Sequence, residues 1–412
     1  MEKKIEADFE NTFKNSLVDN EVKLKKELLN KFIKKGFPSK KLESWKFSDL
    51  NQIINSNIEK LSFYNNSKTT KIDESVYLKN IEHNKMVFVN GRCEEISLEY
   101  EDKNKFKIQE EKKIENKNIE DNALIDLNNA FTIKNYKITI ENNYNIKKPL
   151  IIYHVTNSEL YSTNLNVQVN FLLGENSSLK VIDIYKDKSQ KNFININYHF
   201  NLKKNSLLKN FKLDNSDNDN IKYSYNNIDQ DTNSVSETFI LSSGSKFLKN
   251  EINCNLNGKY SSSFVNGIFS LNESKHHEIK TKINHLVENT KSYQLIKSVL
   301  NDSSKAAYQG KIFVGQDAQK TDGYQLSKAI LLNENSEFNA KPELEIYADD
   351  VKCSHGSASG SLNENSIFYL RSRGLNYKEA KHLLIKGFLL DVIEKITDQE
   401  IKNLIKTKMR LT

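Results

Sequence analysis

Residues 165–171 read Leu165-Asn-Val-Gln-Val-Asn-Phe171, a strict alternation of apolar and polar side chains. A period of two predicts a β-strand with one buried face. Such segments recur between residue 134 and about residue 365, with almost no helical periodicity. A strand-rich stretch of this length favours a pair of barrels, a propeller or a β-helix over one sandwich. Further alternating segments lie at 136–140, 179–184, 193–198 and 221–225.

A possible repeat runs through this region. Asn-Ser dipeptides begin at Asn176, Asn205 and Asn233, 29 and 28 residues apart, and again at Asn335 and Asn365. Such a spacing fits the coils of a β-solenoid. The same dipeptide also occurs elsewhere in this Asn-rich chain, so the spacing by itself does not decide the fold.

Both ends of the chain carry helical periodicity instead. The first 36 residues place apolar side chains at helical intervals, Leu17 among them, and Gly36 predicts the helix end. Residues 119–131 predict a short helix, and residues 86–91 predict a strand that ends in an Asn-Gly turn. These patterns divide the chain into a helix-rich region 1–133, a β core 134–365 and a C-terminal helical region 366–412.

The C-terminal region predicts two capped helices. Asn376 and Glu379 have the spacing of a capping box, and Thr397 and Glu400 repeat it. The helices either cap the β core or dock another protein through their apolar face. The apolar positions of the first helix include Ala380, Leu383, Leu384 and Phe388.

Composition argues against several classes of protein. The net charge of +7 comes from 61 basic and 54 acidic residues without a basic stripe, which disfavours nucleic-acid binding. Cys93, Cys254 and Cys353 are too few and too far apart for a disulfide framework. The first residues have no apolar core of signal-peptide length, and no apolar run reaches membrane-spanning length. We therefore expect a soluble cytoplasmic protein.

The sequence has no complete catalytic motif of the common types. Residues 310–315 have the glycine spacing of a phosphate loop, but Gln316 and Asp317 replace the required Lys and Ser or Thr. There is no Gly-x-Ser-x-Gly elbow and no His-Glu-x-x-His. His277 and His285 lie near Glu278 in the sequence, but nothing fixes their distance, which disfavours a metal site there.

The richest local chemistry lies at residues 341–374. Cys353 and His355 are two residues apart in a segment that resembles a strand, so both side chains should point to one face. A thiol and an imidazole together could hold a metal or face a partner. The pair is only half of a closed zinc site. Cys353 could equally be a core residue, and His355 a structural hydrogen-bonding histidine.

The chain resembles the SufB/SufD family of the SUF iron–sulfur cluster assembly system. The resemblance rests on Lys341-Pro-Glu-Leu-Glu-Ile346, Asp349-Asp-Val-Lys-Cys-Ser-His-Gly356 and Phe368-Tyr-Leu-Arg-Ser-Arg-Gly374. Glu43-Ser-Trp-Lys-Phe47 and Leu127-Asn-Asn-Ala-Phe131 fit as well. The Lys-Cys-Ser-His-Gly wording favours the SufD side of the family, since SufB typically has His-Glu-Ala there.

This resemblance implies a mainly β protein, a right-handed parallel β-helix flanked by N-terminal and C-terminal α-helical regions. It implies a non-catalytic subunit that pairs with SufB through the β-helix and binds SufC, an ATPase, through the C-terminal helices. The complex would build clusters for apo-proteins. His355 matches the family histidine that faces SufB at the site of the nascent cluster, where it could be a metal ligand. Cys353 matches a neighbouring cysteine.

The residues are compatible with this role. A cubane cluster normally needs four thiolates, so this chain should not hold one without partner thiolates. Flavin binding in the complex and a homodimer in the absence of partners stay open. The alternatives are a SufB-like principal cluster scaffold, a β-helix carbohydrate-active enzyme, and a structural solenoid without a site.

Overall fold

The strand-rich region forms a parallel β-solenoid of about eight turns. The computed structural model describes residues 2–14, 19–65, 67, 72–111 and 121–409. From the fourth strand onward, successive strands alternate between two sheets, so each coil adds one strand to each sheet. The expectation of a β-helix between helical regions is confirmed.

Most of the strands are eight to ten residues long. In chain order they are β1 Asn84–Val89, β2 Arg92–Ser97, β3 Phe106–Glu111, β4 Asn135–Ile140, β5 Leu150–Thr156, β6 Asn164–Leu173, β7 Ser178–Asp187, β8 Phe193–Leu202, β9 Leu207–Asp214, β10 Ile221–Gln230, β11 Val235–Ser242, β12 Phe247–Leu256, β13 Ser262–Leu271, β14 His276–His285, β15 Lys291–Leu300, β16 Lys305–Val314, β17 Asp322–Leu331, β18 Glu337–Ile346 and β19 Lys352–Gly360.

The two sheets run side by side along the solenoid. Sheet one has the order β19-β17-β15-β13-β11-β9-β7-β5-β1-β2, and sheet two has the order β18-β16-β14-β12-β10-β8-β6-β4-β3. Of the described pairings, all are parallel except β1 with β2 and β3 with β4. Because β1, β2 and β3 precede residue 134, the sheets begin within the region 1–133.

The interior between the sheets is largely apolar, as the alternation in the sequence predicts. One row of side chains from each strand points inward, represented by Val181, Phe200 and Ile283, all fully buried. The opposite rows form the outer faces. Helices cover part of each outer face and bury two further apolar clusters there.

The possible repeat is real over three coils. Asn176, Asn205 and Asn233 have positive φ values of 54°, 58° and 57°, each in a turn from sheet two to sheet one. Asn tolerates this left-handed conformation better than most residues. The Asn205 side-chain amide donates to the Asn176 side-chain oxygen at 2.7 Å, which links successive turns. Asn335 lacks the positive φ and Asn365 lies in a helix, so the repeat does not extend to them.

The N-terminal helices pack on the outer face of sheet two. Gly36, with φ +69°, ends the second helix as predicted, and Leu17 lies outside the described residues. Trp45 stacks on Tyr223 and Phe247 of the sheet. The elements are α1 Glu2–Phe13, α2 Asp19–Lys35, α3 Leu50–Asn57 and α4 Ala123–Phe131, with single 3-10 turns at Glu43–Trp45 and Glu74–Val76.

The C-terminal helices are α5 Glu364–Ser372, α6 Tyr377–Ile393 and α7 Gln399–Lys408, and α6 and α7 pack on the outer face of sheet one. The predicted capping box of Asn376 and Glu379 is confirmed at the start of α6. The prediction of Thr397 as a cap is wrong, because Asp398, one residue later, accepts the backbone N–H of Ile401. The Asp398 carboxylate also forms an ion pair with Lys180, which the uncharged side chain of Thr397 could not form.

Charged side chains are buried inside the middle coils. Lys222 lies between Asp187 and Asp214, with nitrogen–oxygen distances of 2.7 and 3.0 Å, and Lys212 pairs with Asp183 at 2.8 Å. All five side chains are almost fully buried. The interior tolerates these charges because each has a partner of opposite sign.

Candidate functional site

β19 is the last strand of sheet one and has a neighbouring strand on one side only. It pairs in parallel with β17, with Cys353 opposite Gly323 and His355 opposite Gln325. Gly323 and Gln325 are buried in the row that points between the sheets. Cys353 and His355 therefore lie on the inward face of β19, at the open end of the solenoid. The prediction that they share one face of a strand is confirmed.

Cys353 is half-buried at this end. Its side chain packs against a small apolar cluster that includes Ile312, Val314 and Ala348. Burial raises the pKa of the Cys353 thiol, an effect that outweighs the nearby backbone N–H of Gly323. The thiol is therefore protonated at neutral pH, and a metal would have to displace that proton.

His355 is exposed, and none of the described residues hydrogen-bonds to its imidazole. The histidines inside the coils differ. His277 contacts the Ser242 hydroxyl at 2.8 Å and the Ser245 carbonyl at 2.6 Å, and burial lowers its pKa to about 4. Both ring nitrogens of His277 thus have hydrogen-bond partners within the fold, whereas the ring nitrogens of His355 are accessible to a ligand or a partner.

The free side of β19 can accept another strand. The Lys352 N–H donates to the Thr321 carbonyl at 2.8 Å, toward β17. Alternate residues of a parallel strand bond to the same neighbour. The N–H groups of Cys353, His355 and Ser357 therefore point away from β17. Most side chains of β19 are Ser, Gly or Ala, which leave this edge open to pairing.

β18 ends sheet two at the same end of the molecule. It contains Pro342, which has no N–H and suits an edge strand. Lys341 forms ion pairs with Glu43 and Glu343. The pair with Glu43 connects the Glu43–Trp45 turn to the open end, so two motifs far apart in the sequence meet there.

The four apolar positions predicted to dock the ATPase do not form one surface. Ala380 is fully buried, and Leu384 is half-buried. Phe388 packs against sheet one, where Lys297 lies 4.4 Å above its ring and donates to its carbonyl. Leu383 remains 46% exposed. On α6, the buried side of the helix therefore caps the solenoid.

A different apolar surface is exposed on α5 and the start of α6. Phe368 is 74% exposed, Tyr369 is 56% exposed and Tyr377 is 49% exposed, and with Leu383 we call these residues the aromatic surface. Aromatic residues are enriched at protein interfaces. The Phe-Tyr pair at 368–369 was visible in the sequence, but its exposure depends on which helix side faces the sheet.

The described residues contain no group of three His, Cys, Asp or Glu side chains placed to hold a metal ion. Cys353 and His355 can therefore offer two ligands, and further ligands would have to come from another molecule. The helices within the described ranges are too short or too polar to span a membrane.

Comparison with known proteins agrees with this geometry. The pattern that defines the domain described as "SUF system FeS cluster assembly, SufBD core domain" matches residues 154–388, which include most of the solenoid, β19 and α5. The iron–sulfur cluster assembly protein SufD of Escherichia coli K12 is 25% identical over 394 residues, which cover 92% of this chain and 90% of that protein.

Two further relatives match over shorter stretches. The SufBD family protein slr0076 of Synechocystis is 44% identical over 103 residues, 25% of this chain and 23% of that protein. The chloroplastic protein ABCI7 of Arabidopsis thaliana is 42% identical over 113 residues, 27% of this chain and 24% of that protein. With the domain match covering more than half of its length, the chain belongs to the SufBD family of SUF-system iron–sulfur cluster assembly proteins.

Proposed function

We propose that this chain is a non-catalytic, SufD-like subunit that pairs with a SufB-like paralogue through its open end. The observation that carries the proposal is the free edge of β19, with Cys353 and His355 on its inward face. A strand from the partner could continue sheet one beyond β19 and bring its own side chains next to this pair. The nascent cluster would form at the seam between the two subunits.

The two potential ligands at this end suit a cluster that is assembled and passed on, rather than a cofactor that stays bound to this chain. An iron–sulfur cluster takes thiolates first, and histidine can replace some of them. Cys353 is protonated at neutral pH because burial raises its pKa, so His355 is the more accessible ligand from this chain. Partner thiolates would supply the remaining positions. A cluster held in this shared way is released when the seam opens.

The aromatic surface is the proposed docking site for a SufC-like ATPase. Phe368, Tyr369, Tyr377 and Leu383 are all exposed on α5 and α6, and the basic residues Arg371, Arg373, Lys378 and Lys381 lie among them in the sequence. ATP binding and hydrolysis would take place on that ATPase and move the two solenoids relative to one another. Recipient apo-proteins, a cytoplasmic location, a reduced flavin in the complex and a homodimer without partners belong to the same proposal.

Native mass spectrometry of the tagged chain, purified without oxygen from cells that co-express both partners, tests the assembly. We expect one paralogue and two ATPase copies per complex. The complex of Phe368→Ser should lose one ATPase copy and keep the paralogue. Phe388→Leu, which changes a residue on the side of α6 that faces the sheet, should keep the paralogue and both ATPase copies. A wild-type chain that stays alone under these conditions contradicts the proposal.

His355→Ala tests the role of the open end in cluster assembly. The imidazole makes no described hydrogen bond, so we expect the fold and the complex to persist while maturation of an iron–sulfur reporter enzyme is lost. The reporter is measured in cells with no other assembly pathway. The matched control is His382→Ala, which removes an exposed histidine on α6 instead of the one on β19. We expect normal maturation of the reporter in cells that carry this control. Normal maturation in His355→Ala would refute the site.

A further inference from the structure

A cavity of about 460 Å³ lies on the outer face of sheet one, and we call it the outer cavity. Its floor is formed by strands of the sheet, and Lys395 and Ile396, in the connection between α6 and α7, line its other side. This volume is typical of small-molecule sites. Cys353 and His355 lie on the inward face of the same sheet, so the outer cavity is separate from the open end.

The floor of the outer cavity carries a row of aromatic side chains. Phe264, Tyr293 and Tyr324 are successive register partners on β13, β15 and β17, so their rings lie side by side on one face. The rings of Tyr293 and Tyr324 stack with their centroids 5.3 Å apart. These three residues are only half-buried, whereas Phe211 and Phe239 behind them are buried. A flat apolar ligand could therefore contact several rings at once.

The connection between α6 and α7 is held against the sheet. The Lys209 ammonium donates to the Thr397 hydroxyl at 2.6 Å, and the side chain of Ile396 is 5% exposed. The Lys395 ammonium lies 5.9 Å from the centroid of the Tyr293 ring. Because these contacts fix the connection in the free chain, the cavity is already formed before a ligand arrives, as in most small-molecule sites.

One polar side chain of the cavity lacks a partner. Asn266 lines the cavity, and its amide oxygen is shielded from water and accepts no hydrogen bond from the described residues. Its register partners on the same face are Phe239 and Leu295, whose side chains have no donor. A buried oxygen without a donor costs free energy. A ligand with an N–H group that reaches this oxygen would remove that cost.

The charges at the rim of the cavity do not select one sign. Lys291 and Lys395 are basic, and Glu237 and Asp322 are acidic. Glu237 already has a counterion, because its carboxylate lies 3.6 Å from the Lys209 ammonium. A ligand with a strong net charge of either sign would therefore meet a like charge at the rim. The aromatic floor and the Asn266 oxygen are left as the features that select a ligand.

We propose that the outer cavity binds an uncharged heteroaromatic ring that carries an N–H group. The ring lies on Phe264, Tyr293 and Tyr324, and its N–H donates to the amide oxygen of Asn266. This site goes beyond the proposed function, because it gives the chain a small-molecule ligand on a surface that the open end does not use.

Binding of indole to the full chain tests the site. The δ1 methyl groups of isoleucine are labelled with carbon-13, and the Ile396 signal is assigned by its loss in Ile396→Val. We expect a saturable shift of this signal with indole. Benzofuran has the same shape with an oxygen in place of the N–H, so it should bind about tenfold more weakly. A titration without a saturable Ile396 shift overturns the proposal.

Variants of the cavity separate its two contributions. Asn266→Leu keeps the size of the side chain and removes the oxygen, so indole and benzofuran should bind equally well. Tyr324→Ala removes part of the floor and should weaken both compounds. The matched control is Tyr260→Ala, which removes a ring that is 59% exposed in the turn between β12 and β13 and should change neither affinity.

The comparison of the two compounds decides the ligand class. Equal affinities of indole and benzofuran for the wild type overturn the role of Asn266, and so does a preference for indole that persists in Asn266→Leu. Circular dichroism verifies that each variant folds. If Asn266→Leu does not fold, the two affinities of the wild type decide the question without it.

Discussion

The middle coils and the last coil of the solenoid differ in whether their charged side chains and histidines have partners within the chain. Inside the middle coils, Lys222 has two carboxylate partners and His277 has two hydrogen-bond partners. In the last coil, His355 has no described hydrogen-bond partner, and the outer edge of β19 is unpaired. The comparison shows that Lys222 and His277 find partners within the chain because further coils cover them, whereas His355 lies where no further coil follows.

The largest expected effect is on stability and concerns Lys222. Lys222→Met leaves two buried aspartates without a counterion and should lower the free energy of unfolding by about 3–5 kcal/mol. Lys341→Met, in the last coil, removes ion pairs with partly exposed glutamates and should cost less than about 1 kcal/mol. Urea unfolding of both variants compares the two regions. Equal losses of unfolding free energy in the two variants would contradict the proposed difference between the middle coils and the last coil.

Acid should destabilise the middle coils through their histidines. Burial lowers the pKa of His277 and of His285 to about 4, from an ordinary value of 6.5. The unfolded chain binds more protons between these values, so stability falls as the pH drops from 6.5 to 4. Each histidine contributes a loss of about 3 kcal/mol.

Thermal unfolding across this pH range measures the loss. His285→Gln should reduce the fall by roughly half, because it removes one of the two rings whose pKa burial lowers to about 4. Ser357→Ala, a last-coil variant that removes no titrating group, should leave the fall intact. A pH profile that does not change in His285→Gln would show that this ring is not the source of the acid sensitivity.

The smallest expected effect on stability distinguishes the two sides of β19. Ser357→Pro removes an N–H on the free edge, so it should cost less than about 1 kcal/mol and yet abolish pairing with the paralogue. Ala358→Pro removes an N–H that bonds to β17 and should cost about 1–3 kcal/mol. Unfolding and co-purification are measured on both variants. Ser357→Ala controls for loss of the Ser327 hydrogen bond. Retained pairing in Ser357→Pro would contradict the strand-addition geometry.

Sequence reasoning predicted the parts of this fold that local patterns control. The alternation at 165–171 became β6, and the Asn176 and Asn205 turns have the left-handed conformation that the Asn-Ser spacing suggested. The strand and the shared face of Cys353 and His355 followed from a spacing of two. Each of these features depends on residues close together in the chain.

Other features depend on contacts between distant residues. The periodicity gives no reason to bury Lys222, which pairs with Asp187, 35 residues away. Thr397 and Asp398 both suit a helix cap, and the choice of Asp398 coincides with Lys180, which is 218 residues away. Among the predicted docking residues, Ala380 is fully buried and Phe388 packs against sheet one. Such choices are decided by tertiary packing, which the sequence pattern does not encode.

The edge strands at the two ends of the solenoid differ in how readily they could pair with another strand. At the N-terminal end the outermost strands, β2 and β3, run antiparallel to their neighbours and together carry six charged residues, Arg92, Glu94, Glu95, Lys107, Glu110 and Glu111. β19 has a single charged residue, Lys352. Charged edge strands resist further pairing. Two chains that pair through β19, as proposed, would therefore join end to end once and then stop, whereas two open ends would allow head-to-tail filaments.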